Sequence, residues 1–179
     1  MNKVKIFVSG RLDQTKPENQ KIYEKITEIC ESFGFEVWLP HRDTRKEMKR
    51  KYSSSEEIVK NLYNFDLERV LNCNLVIAEL TNPSFGVGLE LRACDEAKID
   101  VVALAKEDAN VSVTVIGNPA IKKFFRYRDL EELEIKLKGI IEKYTKDRNY
   151  LKASYKFSEI FEEWATQNQM KLYSWIFEK

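Results

Sequence analysis

A single histidine, His41, stands in 179 residues. Any Ser-His-Asp or Cys-His relay would have to run through that one ring, and no Gly-x-Ser-x-Gly elbow accompanies it, which argues against hydrolase-triad chemistry. Cysteine is also sparse. Cys30, Cys73 and Cys94 are odd in number, scattered and without metal-ligand spacing, so no structural zinc is implied, and the thiols fit a reducing, cytoplasmic setting. The chain lacks an apolar run of transmembrane length and enters a strand directly at Lys3–Val8 without a signal-peptide core, so the expectation is a soluble, intracellular protein. Neither sign of charge dominates: thirty basic and twenty-nine acidic residues leave a formal charge of +1, which gives no global electrostatic case for nucleic acid or an anionic membrane as partner. No Walker lysine is present. Gly86-Val87-Gly88 does not make a Gly-x-Gly-x-x-Gly pattern and follows the third strand rather than the first, which weakens a dinucleotide reading. No repeat, low-complexity tract or glycine-rich linker divides the chain, whose length suits one ordinary domain with a short appendage.

What is present is an alternation of strands and helices. The first strand, ending near Ser9, is followed by a helix from about Lys16 to Phe33 with Thr15 as cap, Pro17 in the first turn and Ile22, Ile26 and Ile29 as its apolar stripe. Gly34 closes it, and Phe35–Leu39 resumes as a strand stopped by Pro40, with His41 and Asp43 at its end. The basic run Arg42–Tyr52 reads as a solvated loop or helix. Ser53 or Ser54 with Glu56 or Glu57 makes a capping box for a helix to about Asn72. Strands follow at Leu75–Ala78 and Val101–Ala105, with a helix from about Gly86 to Lys98 between them. Phe124–Tyr127 is a candidate last strand, and Asp129 opens an amphipathic helix through Leu130, Leu133, Leu137 and Ile140 to about Lys146. The expected fold is α/β: a flavodoxin- or Rossmann-like parallel sheet with helices on both faces, occupying residues 1–146 as the main domain. Residues 147–179 are expected to form a helical C-terminal extension. Its rings, Tyr150, Tyr155, Phe157, Phe161, Trp164, Tyr173, Trp175 and Phe177, require burial either on the same domain or in a subunit interface.

The stretch Leu75–Glu90 concentrates the chemistry. A strand buried on both faces runs into Asn82-Pro83, then into Gly86 and Gly88, which permit unusual dihedrals and close approach of a ligand to backbone. The first-turn amides of the next helix favour an anion there, and the helix dipole is expected to keep Glu90 ionised, as a nucleophile requires. The same glutamate would equally serve to stabilise its helix. With triads, dinucleotides and Walker sites set aside, carboxylate chemistry remains, and Asp66 is the candidate for a second acid because it lies late in the helix leading into this strand; a helical Asp beside Glu68 and Arg69 also suits a solvated surface.

Asp66-Leu67, then Asn74-Leu-Val-Ile-Ala-Glu79-Leu-Thr-Asn-Pro-Ser84-Phe-Gly-Val-Gly-Leu-Glu90, with Lys5-Ile-Phe-Val-Ser-Gly10 in the first strand, resembles the nucleoside 2-deoxyribosyltransferase superfamily, particularly its 2′-deoxynucleoside 5′-phosphate N-hydrolase branch. The resemblance covers about residues 3 to 128 and leaves the aromatic tail without a counterpart. It implies hydrolysis of the N-glycosidic bond of a (deoxy)nucleoside 5′-monophosphate, with Glu90 displacing the base from C1′, Asp66 aiding proton transfer to that base, and no metal or other cofactor. It also implies that Ser84 contacts phosphate where the transferases carry an acid, that Gly10, Gly86 and Gly88 line the site, and that Ser112 reaches it from a neighbouring subunit of a homodimer. Arg11 stands where hydrolases often have a serine and would take over phosphate binding; Phe7 would lie near the sugar and His41 in the base pocket. The alternatives are a deoxyribosyltransferase that swaps bases and a non-catalytic nucleotide-sensing module.

Overall fold

In the computed structural model, which describes residues 3–12, 17–165 and 167–177, the alternation read from the chain becomes a five-stranded, all-parallel sheet in the order β2-β1-β3-β4-β5. The strands are β1 (Lys5–Ser9), β2 (Glu36–Trp38), β3 (Leu75–Glu79), β4 (Asp100–Lys106) and β5 (Ile121–Tyr127). Between and after them lie α1 (Pro17–Ser32), α2 (Pro40–Lys51), α3 (Ser55–Leu71), α4 (Phe85–Ala97), α5 (Val113–Ile116), α6 (Leu130–Lys146), α7 (Tyr150–Ala153), α8 (Phe157–Trp164), α9 (Gln167–Leu172) and α10 (Ser174–Phe177). Parallel pairing explains why β3 and β4 are apolar at almost every position: both faces of each strand are covered, so neither can be polar.

Successive residues point to opposite faces, which divides the core in two. Ile6, Val8, Leu75, Ile77, Val102 and Leu104 pack with the apolar stripes of α1 and α6. Phe7, Val76, Ala78, Val101 and Ala103 pack with Val70 of α3, Val87 and Leu91 of α4 and Trp164 of α8. Ser9, two residues beyond Phe7, therefore emerges on the α3–α4 side at the carboxyl end of β1. Strand order reverses between β1 and β3, and ligands of such sheets collect outside the strand ends at that point.

Several local readings hold. Gly34 takes a left-handed φ of 81° after α1, Ser54 and Glu57 form a reciprocal capping box for α3, and the Asp129 carboxylate caps α6. The basic run resolves as helix: α2 starts at Pro40, takes His41 and Asp43 into its first turn, and buries only Pro40, Thr44 and Met48. Thr15, expected to cap α1, lies outside the described residues. One expectation is corrected. Gly86 and Gly88 have ordinary helical backbone in the first turn of α4, since Gly34 alone among the described glycines has positive φ; their value is space, with open surroundings at Gly88 and only Ser84 Oγ near Gly86.

The tail does pack on its own chain. Trp164 has no accessible surface and α8 lies against β5, whereas Tyr155 and Phe157 remain exposed. Among the described residues no helix is long and apolar enough to cross a membrane.

Candidate active site

Glu90 lies in the second turn of α4, on the side facing β1, and the Ser9 hydroxyl donates to its Oε2 at 2.5 Å. This contact joins residues 81 positions apart and depends on the β1–β3 pairing that sets Ser9 against Ala78. Burial pushes the Glu90 pKa up to about 7; the Ser9 hydrogen bond opposes that rise and the nearby Asp66 charge adds to it. Burial works against the ionised form that the helix dipole was expected to favour. The dipole acts mainly within the first turn and Glu90 sits in the second, so desolvation is the larger influence on it.

Asp66 is brought into the same region by α3 and lines a cleft of about 440 Å³ with Arg11, Tyr23, His41, Thr44, Arg45 and Lys49. Thr44 donates to Asp66 Oδ1 at 2.8 Å and accepts from Trp38 Nε1 at 3.0 Å. An indole N–H can only donate, so the single Thr44 proton must point at Asp66. Any proton that Asp66 carries then belongs on Oδ2. Burial raises the Asp66 pKa while the Thr44 bond lowers it, with a net rise. Behind this relay the Arg69 guanidinium lies 4.4 Å from the centre of the Trp38 ring and fixes its face. Glu79, the other acid of the signature, belongs elsewhere: it is buried among Tyr127 and Thr81, both of which donate to its Oε1.

The amino end of α4 forms the other side of the site. Ser84 is its N-cap, with Oγ accepting from the Val87 amide at 3.4 Å. Capping uses Oγ as an acceptor and leaves its proton able to donate outward. The Phe85 and Gly86 amides have no acceptor within the helix. Arg11 Nη1 contacts the Pro83 carbonyl at 3.5 Å, which places a guanidinium beside this turn. Gly10 is needed for packing as much as for any ligand, because a Cβ there would stand 2.5 Å from the Tyr23 ring. A second cavity of about 420 Å³ at this turn is lined by Ser84, Val87, Gly88, Asn110, Ser112 and Tyr173, among others.

The structure thus brings Asp66, Arg11 and His41 to one cleft and Ser84 and Ser112 to the second cavity, and it sets Glu90 against Ser9 near the Asp66 charge, outside the lining of either space. His41 is largely covered, 3.5 Å from Glu24 through Nε2, with Nδ1 buried and unpartnered. Phe7 is the exception. Its ring has no accessible surface and belongs to the core beneath Ser9, so it supports the site from below and offers no open face to a sugar. Ser9, Thr44, Trp38 and Tyr23 are residues that sequence reasoning missed. Only Ser9 carried a signal, a hydroxyl at the carboxyl end of a parallel strand next to Gly10.

The family model described as nucleoside 2-deoxyribosyltransferase matches residues 6–155. The chain is 28% identical over 126 residues to a 5-hydroxymethyl-dUMP N-hydrolase of Esox lucius, spanning 70% of this chain and 85% of that relative. It is 33% identical over 134 residues to a Methanosarcina mazei protein named 2′-deoxynucleoside 5′-phosphate N-hydrolase 1, an assignment that is itself provisional, spanning 74% of this chain and 80% of the relative. In fold it is similar to a CMP N-glycosidase of Clostridium botulinum, with a TM-score of 0.54 at 18% identity over 76% of this chain and 98% of that one.

Proposed function

The chain belongs to the nucleoside 2-deoxyribosyltransferase family, and from that premise we propose that it hydrolyses the N-glycosidic bond of a (deoxy)nucleoside 5′-monophosphate, releasing free base and (deoxy)ribose 5-phosphate. The observation that carries this reading is the paired environment of Glu90 and Asp66: two carboxyls at the strand ends, each held by a hydroxyl and both raised in pKa by burial. A retaining glycosidase needs one such carboxyl ionised as nucleophile and the other carrying a proton for the leaving base, and the two hydroxyls give Glu90 and Asp66 different surroundings for those roles.

In the proposed sequence, ionised Glu90 attacks C1′ and the C1′–N bond breaks as Asp66 Oδ2 delivers its proton to the base. Water, deprotonated by Asp66, then attacks C1′ of the glycosyl-Glu90 ester and returns the carboxylate. Ser9 selects the ionised form of Glu90 by donating to it, and Thr44 leaves the Asp66 proton on the oxygen opposite its own bond. The 5′-phosphate is placed at the first turn of α4, with the Ser84 hydroxyl, backbone amides of the turn, the open space at Gly88 and Arg11 as its partners; an acid at position 84 would repel a group carrying about −1.5 to −2 charge. The base occupies the cleft by His41.

A homodimer is part of the proposal. Val59, Leu62 and Tyr63 on α3 and Phe85 and Leu89 on neighbouring α4 recur at helical spacing and are exposed, Phe85 to 97%. The resemblance assigns Ser112 to the partner's site, yet one chain already brings Ser112 into a cavity with its own Ser84. Mixing Ser112→Ala and Glu90→Ala subunits separates the two arrangements. Activity regained in the mixture requires a site that is wild type throughout: a site drawing Ser112 from across the interface cannot arise from one subunit alone. The free Cys30, Cys73 and Cys94 thiols agree with a cytoplasmic location. The experiment for the reaction itself is chromatography of released base from a nucleotide panel, with and without a free acceptor base; exchange of bases in place of hydrolysis would assign the transferase activity instead.

A further inference from the structure

Residues beyond 155 fall outside the family match, yet one of them, Tyr173, lines the second cavity. The connection from β4 to α5 crosses residues 107–112, and the carbonyls of its two buried residues, Ala109 and Val111, need partners. The tail provides them. Trp164 of α8 donates through Nε1 to the Val111 carbonyl at 2.9 Å, and Gln169 of α9 donates through Nε2 to the Ala109 carbonyl at 3.0 Å. Arg126, buried at the end of β5, ties both sides together. Its Nη1 donates to the carbonyls of Lys106, Glu107 and Ala109 at 3.0–3.1 Å, while Nε and Nη2 reach the carbonyls of Glu163 and Trp164 at 3.2 and 3.4 Å.

This clamp has a product. It delivers Asn110 and Ser112 to the cavity that Ser84, Val87 and Gly88 border, and it sets the Tyr173 ring 5.8 Å from the Trp164 ring as a further wall of the same space. A tail that only covered the β5 edge would need Trp164 and its apolar neighbours. It would not need two side-chain donors, Trp164 Nε1 and Gln169 Nε2, on the carbonyls of one loop, or an aromatic ring placed beside the α4 turn.

We propose that the segment from α8 to Tyr173 belongs to the substrate site: Trp164, Gln169 and Arg126 are positioning residues that hold the 107–112 loop against the amino end of α4, and Tyr173 is a specificity residue at the phosphate-bearing end of the nucleotide. This rests on the reading above that the 5′-phosphate binds at that turn.

Two variants test it. Trp164→Phe keeps a ring and removes the Nε1 donor, and Tyr173→Ala removes a half-buried wall with little demand on the core. KM and kcat are measured for a nucleoside 5′-monophosphate and for the matching nucleoside, together with the urea midpoint. The expected result in both variants is a KM for the nucleotide raised about tenfold, kcat within about twofold, and nucleoside turnover unchanged, so that preference for the phosphorylated substrate falls. A lowered urea midpoint with unchanged preference, or equal loss on both substrates, overturns the proposal and makes the tail purely structural. If the wild-type chain releases no base from any nucleotide, the hydrolase reading and this proposal fall together. If it does and the variants keep their preference, the tail assignment alone fails.

Discussion

Replacing Ser9 by alanine should move the acid limb of the pH–rate profile upward. In the native site the Ser9 hydroxyl donates to Glu90 Oε2 at 2.5 Å and is the interaction that favours the charged carboxylate, against burial and the Asp66 charge, with the balance at a pKa of about 7. A hydrogen bond to a charged group is worth about 1.5–3 kcal/mol, and one pKa unit corresponds to about 1.4 kcal/mol, so its loss should raise the Glu90 pKa by about one to two units. The sign follows from which form is stabilised: the removed donor favoured the anion, so the anion now needs higher pH. At pH 7 the ionised fraction would fall from about one half to about 1–10%, and kcat/KM on a nucleotide should fall about 5- to 50-fold. At pH 9 most of that loss should be recovered. The assay is base release from pH 5 to 9 for wild type and Ser9→Ala on the same substrate, which cancels the substrate phosphate's own titration. A loss of equal size at every pH, or an acid limb that stays in place, would refute the idea that Ser9 sets the charge of Glu90.

Glu90→Gln should be inactive and more stable. The folded-state pKa of Glu90 lies above its unfolded value, so the native state holds the proton more tightly and stability declines as pH rises through the window up to about 7; the ceiling of about 3 kcal/mol is reduced by partial exposure to about 1–2 kcal/mol in urea melts at pH 8, and an unchanged or lower midpoint contradicts it. Thr44→Val keeps the branched shape but leaves Trp38 Nε1 without its acceptor and Asp66 without its donor; kcat should fall about tenfold with little change in KM, and equal activity would remove Thr44 from proton delivery. Gly10→Ala places a methyl 2.5 Å from the Tyr23 ring, disturbing the Tyr23 bond to the Arg11 carbonyl, and should cost about 1–3 kcal/mol by chemical denaturation; a neutral result would show that the ring moves freely.

The sheet was legible because parallel strands announce themselves: Leu75–Ala78 and Val101–Ala105 are apolar on both faces, and the Ser54–Glu57 box marks the start of α3 by local chemistry alone. The helix α2 was ambiguous because its buried face amounts to three residues in a basic run, too few for a period to show. The site was half legible. Glu90 and Asp66 stand out in the signature, but the hydroxyls that govern them come from 81 and 22 positions away, a distance over which only the fold makes neighbours. The burial of Glu90 was not legible for a related reason. A dipole can be read from position on a helix, whereas desolvation depends on what the rest of the chain places on top. Phe7 shows the same limit, since a strand residue two positions before Ser9 gives no sign of whether its ring meets ligand or core.

The most direct measurement is mass spectrometry of the intact protein after rapid quenching with a nucleoside 5′-monophosphate, alongside chromatography of the released base. The account predicts a sugar-phosphate adduct that maps to Glu90 in the wild-type chain, free base accumulating with it, and neither in Glu90→Ala. Base release that persists in Glu90→Ala would contradict it.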